Sequence, residues 1–161
     1  MTTTTTPQTQ IEANPDLPTL SIVRDFDAPP DRVFRAWTDP ELVARWLGPN
    51  DTEMRISSWD ARTGGSYRYA AWSEGKEIAA FYGSFHEVRP NQRLVQTFTW
   101  EGMPDGVALE TVTFSDLGDG RTRVTALSVV DSMEARDAII ASGMEHGVIE
   151  GYQKLDALLA G

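Results

Sequence analysis

The 161-residue chain contains no cysteine. Disulfides, a thiolate zinc site and a cysteine nucleophile are therefore excluded. That usage fits a reducing compartment, and the cytoplasm is the expected location. Histidine is scarce: His86 and His146 are the only two. They fall on different elements of the expected fold, without a third ligand spaced for a metal, so no metal site is expected. No apolar run approaches the roughly 20 residues of a membrane span. The opening Met1-Thr2-Thr3-Thr4-Thr5-Thr6-Pro7 has neither a basic region nor an apolar core, so no signal peptide is expected. Basic residues are in deficit, 14 Lys and Arg against 24 Asp and Glu, for a formal charge of −10. Such a surface repels nucleic acid and anionic lipid, and neither is an expected partner. Phosphate loops, dinucleotide fingerprints and a Gly-x-Ser-x-Gly elbow are all missing, so no cofactor is expected and no nucleophile is marked.

What is present is an ordinary globular composition, 40% hydrophobic and 24% charged, of a length that suits one domain. Residues 1–18 are rich in Thr, Gln and Pro and carry few apolar groups, which predicts a disordered tail. Residues 19–161 are the expected domain. Thr19–Asp27 alternates Leu20, Ile22, Arg24 and Phe26 against Ser21, Val23 and Asp25, a strand pattern that Ala28-Pro29-Pro30 ends. Two short helices follow. Val33, Phe34 and Trp37 recur at helical spacing over Asp31–Trp37; Asp39-Pro40-Glu41 then starts a second helix that Gly48-Pro49 stops. Six further strands are predicted near Thr52–Trp59, Ser66–Trp72, Glu77–Val88, Arg93–Trp100, Ala108–Leu117 and Arg121–Val130. The short turns between them imply an antiparallel meander.

The remaining stretch, Asp131–Ala160, is the only long helical signal. Ile140, Met144, Val148, Leu155 and Leu159 form its apolar stripe, and Asp131 with Glu134 resembles a capping box. One uninterrupted helix of this length would run roughly 40 Å. Gly143, Gly147 and Gly151 repeat every four residues along it. Each glycine costs about 1 kcal/mol relative to alanine in a helix interior, so side chains are unwanted there. Close packing of the helix backbone on the sheet explains this, as would room for a ligand. The expected fold is α+β, an antiparallel sheet with one long C-terminal helix available to cover its apolar face.

Aromatic residues are concentrated in the strands. Tyr67 and Tyr69 share one face of their strand, and Phe98 and Trp100 one face of theirs. With Trp37, Trp46, Trp59, Phe81, Met144 and Val148 they are the candidate lining of an apolar cavity, although the same residues would serve as core. Which strand face is concave is left open by the sequence. Arg24, Arg68 and Glu110 lie in strands, where they either face solvent or anchor the pocket's polar end. His146 and Glu150, four apart, read as an exposed pair.

Several of these blocks resemble a known family. Arg24-x-Phe26-x-Ala28-Pro29, Val33-Phe34-x-Ala36-Trp37-Thr38-Asp39-Pro40-Glu41 and Trp46-x-Gly48-Pro49 look like the opening signature of the activator-of-heat-shock-protein-90-ATPase homologues, in the START-like, Bet v-like (SRPBCC) superfamily. Gly64-Gly65, Gly83, Glu87-Val88-x-Pro90, Arg93-Leu94, Gly120-x-Thr122 and Ser142-Gly143-Met144 continue the resemblance. It implies a helix-grip fold with a cavity between sheet and helix, and small bacterial relatives. It implies a small apolar molecule as partner, with a chaperone, bound through a co-chaperone-like surface, as the alternative. A cyclase-, hydrolase- or isomerase-type enzyme using the same cavity is the third expectation, with no catalytic residue assigned and the balance against catalysis. Either a monomer or a homodimer is compatible.

Overall fold

The structure, a computed structural model, describes residues 9–161. Eight strands form one antiparallel sheet: β1 Gln10–Ala13, β2 Thr19–Phe26, β3 Glu53–Trp59, β4 Ser66–Ser73, β5 Lys76–Arg89, β6 Arg93–Trp100, β7 Ala108–Gly118 and β8 Arg121–Val129. Their spatial order is β1-β2-β8-β7-β6-β5-β4-β3. The six consecutive strands β3 to β8 make the expected meander, and β2 joins its far end by pairing with β8 along its whole length. Register shifts interrupt β3/β4 between Ile56 and Ser58, and β5/β6 between Phe85 and Glu87. Such bulges bend a sheet and strengthen its twist. With the helices gathered on one face, this is the helix-grip fold.

The expected tail at 1–18 needs correction. Gln10–Ala13 pair with β2, Ile11 opposite Ile22 and Ala13 opposite Leu20. The low hydropathy of this segment is offset by ladder hydrogen bonds to an existing edge, a long-range gain that composition does not show. The rest of that expectation, over residues 1–8, lies outside the described residues.

Helix α1 spans Pro30–Thr38 and α2 spans Pro40–Trp46. Asp39 accepts from Glu41 N at 3.0 Å, so it caps α2 as expected. The Trp46 indole donates to Ala36 O at 2.8 Å and locks the two helices together.

The terminal helical segment is two helices, not one. Helix α3 runs Met133–Ala141 and α4 runs Met144–Ala160, separated by Gly143 at φ +82°. That left-handed conformation ends an α-helix, and glycine adopts it without a Cβ penalty. The cap is also one residue later than expected: Ser132 Oγ, rather than Asp131, accepts from Ala135 N at 3.0 Å. With 17 residues, α4 is about 25 Å long instead of 40.

The core divides into two clusters. Phe26, Val33, Phe34, Trp46, Leu94, Val112, Phe114, Val124, Tyr152, Leu155 and Leu159 fill the space beneath α1, α2 and the C-terminal half of α4. Tyr67, Tyr69 and Phe85, with Trp59, Phe81 and Phe98 against them, fill the β3–β5 side. Leu47 and Val88 touch both.

Candidate functional site

Strand alternation and burial together fix the concave face. On β2 it carries Leu20, Arg24 and Phe26; on β7, Ala108, Val112 and Phe114; on β8, Thr122 and Val124. Glu110 shares parity with Ala108 and Val112, so it points inward. Its cross-strand partners are Gln96 on β6 and Ser128 on β8. Directly opposed residues sit with Cβ atoms about 5 Å apart. Ser128, Glu110 and Gln96 therefore form a continuous polar row across three neighbouring strands. The rows on either side are apolar: Ala126, Val112 and Leu94 on one, Ala108 and Phe98 on the other. All three polar residues are half-buried and belong to neither core cluster.

Tyr67 extends the row. Gln96 Nε2 donates to Tyr67 Oη at 3.4 Å, and the phenol donates to Thr97 O at 2.6 Å. The phenol reaches β6 because Gly83 lies beneath it. A Cβ at Gly83 would stand 2.7 Å from Tyr67 Oη and still closer to Thr97 O. From Tyr67 an aromatic wall continues: Tyr67 stacks on Tyr69 at 5.9 Å, Tyr69 meets Phe81 at 5.3 Å, and Phe81 stacks on Phe98 at 5.3 Å.

Burial pushes the Glu110 carboxyl up to about 7, and the hydrogen bond to Gln96 only partly opposes it. Loss of water around a carboxylate disfavours the charged form. Burial likewise pushes up the phenols of Tyr67, Tyr69 and Tyr152, and the nearby Glu110 charge adds to each. These three phenols therefore lie within electrostatic reach of one carboxylate, two from the sheet and one from α4.

Helix α4 covers this face unevenly. Gly151, Tyr152, Leu155 and Leu159 in its C-terminal half are buried, whereas no residue from Met144 to Glu150 is. Arg32 donates to Leu159 O at 2.8 Å and ties down the C-terminal end. The grip is tight at one end of the helix and loose at the other.

A family model described as "Activator of Hsp90 ATPase homolog 1-like protein" matches residues 27–160. The chain belongs to this family. Solved structures agree. A Rhodobacter sphaeroides protein shares 27% identity at a TM-score of 0.86, covering 95% of this chain and 99% of that one. An Arthrobacter aurescens protein shares 28% at 0.85, covering 94% and 91%. A Chromobacterium violaceum protein shares 29% at 0.78, covering 89% and 97%. No protein of curated function matches the sequence significantly.

In this member of the Hsp90 ATPase activator homologue family, the candidate lining residues divide between the clusters. Trp37, Trp46 and Val148 belong with the α1–α2–α4 core. Trp59, Tyr67, Tyr69, Phe81 and Phe98 gather on the β3–β5 side. Met144 is half-buried at the start of α4. Trp100, grouped with Phe98 by alternation, is 46% exposed at the end of β6. Trp59 also lines a shallow open groove of about 430 Å³ between α2 and β3, with Pro40, Glu41, Ala44 and Ile56.

The other candidates resolve plainly. Arg68 lies at the surface, with Nε 2.6 Å from Glu101. Arg24 does not: it is buried against Asp156. His146 Nε2 is 3.1 Å from Glu150 Oε1, and the same carboxylate accepts from Asn50 N and Nδ2 at 3.0 and 2.8 Å. Among the described residues no three His, Asp or Glu side chains converge as a metal site, and no helix is long and apolar enough to cross a membrane. Two of the three stripe glycines serve close packing, against a different partner from the one expected, while Gly143 has open space beside it. Gly147 and Gly151 face the Trp46–Pro49 corner rather than the sheet, a Cβ on Gly151 standing 2.9 Å from Trp46 O.

Gln96, Ser128 and Tyr152 are candidate site residues that the sequence pattern did not single out. The available signal was parity: each polar strand residue falls in step with apolar neighbours of the inward face.

Proposed function

We propose that the protein binds a small, largely apolar molecule in the concave space between the sheet and the N-terminal half of α4. The observation that carries this reading is the Ser128–Glu110–Gln96 row. A folded interior that served only packing would have no use for three half-buried polar side chains, one of them a desolvated carboxyl. Ligand sites combine an apolar wall with a few converging polar groups, and Tyr69, Phe81, Phe98 and Val148 supply the wall. The family assignment supports the same reading through its fold.

Ligand binding to the folded state alone stabilises it by RT ln(1 + [L]/Kd), about 2.7 kcal/mol at a hundredfold excess over Kd. The neutral probe N-phenyl-1-naphthylamine should therefore gain fluorescence and raise the Tm, and Ala108→Trp, which intrudes between Phe98 and the polar row, should remove both effects. A probe set of neutral apolar molecules that leaves the Tm unmoved overturns the reading.

One observation favours a second reading, catalysis. A carboxyl that titrates near neutrality can give and take a proton at working pH, and Glu110 is such a group. Turnover of a bound molecule that disappears in Glu110→Gln while binding persists would move the proposal there. The chaperone alternative rests on the family's name. Stimulation of a bacterial Hsp90 ATPase by this protein would support it, and loss of that stimulation on mutating only exposed residues would separate it from cavity binding.

A further inference from the structure

We infer that the molecule held in the concave space is a basic amine on an aromatic or other apolar body, its ammonium group seated against Glu110 between Gln96 and Ser128. This rests on the binding reading above. Three observations on separate elements carry it.

The first is a missing counter-charge. Glu110 faces inward from β7; the side chains beside it are Gln96 from β6 and Ser128 from β8, and the Tyr67 and Tyr69 phenols from β4 and the Tyr152 phenol from α4 lie within electrostatic reach. None is basic. Among the described residues no Arg, Lys or His lies within ion-pair distance of it, and no cation contributes to its ionisation. Of the two buried guanidiniums among the described residues, Arg24 is already bound through both Nη atoms by Asp156, and Arg136 on α3 pairs with Asp137. A desolvated carboxyl either keeps its proton or takes a cationic partner; here the fold's own side chains supply no such partner.

The second is the wall. Electron-rich ring faces attract cations, and the phenols of Tyr67, Tyr69 and Tyr152 lie within electrostatic reach of this carboxylate. The same rings, continued by Phe81 and Phe98, accept an apolar body. The third is hydrogen-bond capacity. An ammonium brings up to three donors and no acceptor. Glu110 offers two carboxylate oxygens, Gln96 an amide oxygen and Ser128 a hydroxyl oxygen, four acceptor atoms along one row. The formal charge of −10 draws cations towards the protein from outside.

A matched trio with one ring system separates the contributions: 1-naphthylmethylamine, 1-naphthalenemethanol and 1-naphthoate, titrated calorimetrically into the full chain. At about pH 8, where Glu110 is ionised, the amine should bind ~tenfold or more tighter than the alcohol, with naphthoate weakest. At about pH 5.5 the carboxyl takes a proton while the amine stays charged, and the advantage should fall to ~threefold or less. Glu110→Gln should abolish the preference of amine over alcohol at both pH values. The wild-type pH comparison tests the assignment independently of that variant. Equal binding of amine and alcohol, or a preference that survives Glu110→Gln, overturns the amine assignment while the cavity reading stands. If none of the three binds, the cavity reading falls and the amine assignment falls with it.

Discussion

Arg24 on β2 and Asp156 on α4 form a two-pronged ion pair, Nη1 to Oδ1 and Nη2 to Oδ2 both at 2.6 Å. The guanidinium is 2% exposed and its carboxylate partner 29%. Paired planar forks of this kind fix geometry as well as contributing energy. The pair bolts the C-terminal half of the helix to the sheet, and its removal is not symmetric with its presence. Asp156→Ala strands a buried guanidinium and should destabilise by about 3–5 kcal/mol. Arg24→Met with Asp156→Leu removes both charges and should recover most of that. Urea denaturation of the single and double variants reads the difference directly. Equal losses in both would mean that the charges, and not their mismatch, matter.

The glycine stripe predicts two alanine substitutions of opposite sign, four residues apart on one helix. At Gly147 the nearest neighbour to a new Cβ is Pro49 Cδ at 3.4 Å. That is ordinary contact, so Gly147→Ala should stabilise by about 0.5–1 kcal/mol through helix propensity. At Gly151 the Cβ meets backbone, Trp46 O at 2.9 Å. Gly151→Ala should destabilise by about 1–2 kcal/mol net, because overpacking outweighs propensity. Thermal melts of both variants at one pH suffice. A stabilised Gly151→Ala would show that the α2–β3 corner yields.

Glu110 makes stability depend on pH in a stated direction. Its carboxyl is raised from an ordinary 4.5 to about 7 in the folded chain. The folded state therefore holds that proton more tightly than the unfolded one. The contribution is fully present below about pH 4.5 and is lost as pH rises through 7. Glu110→Gln, which never ionises, should raise stability near pH 8 by about 1–3 kcal/mol and flatten the profile between those limits. Paired denaturation curves across that window test it. A variant less stable than the parent at pH 8 would mean that an unrecognised partner compensates the charge.

The tryptophans should separate by role. Trp46 is buried with its indole bonded to Ala36 O, and Trp100 is nearly half exposed. Trp46→Ala should cost about 3–5 kcal/mol, whereas Trp100→Ala should fall within about 0.5–1 kcal/mol and leave probe binding intact. Loss of binding in Trp100→Ala alone would return that residue to the site.

Much of this architecture was legible in the residues. The seven strands from Thr19 onwards and the two short helices appear close to their expected bounds, because alternation and Pro or Gly punctuation are local signals. What failed was non-local. Gln10–Ala13 form a strand only because an edge of β2 awaits them. The break at Gly143 looked like one step of a regular stripe, since a left-handed glycine and a packing glycine are the same letter. For the site, alternation alone could not say which face was concave. Arg24 and Glu110 therefore stayed undecided between solvent and pocket, and burial resolves both inward. Gln96 and Ser128 join Glu110 only through strand register, which pairs residues 14 and 18 positions away from it.

Among the described residues the sheet does not close on itself, and β1 and β3 are its two margins. The margin at β3 is poorly suited to recruit a second copy by strand addition. Arg55 lies over the Trp72 ring at 4.0 Å with Glu53 beside it, and the ladder slips between Ile56 and Ser58. A neighbouring molecule approaching there meets charge and a crooked backbone instead of a flat template. The bend that helps shape the interior thereby also discourages fibre-like assembly from the outside.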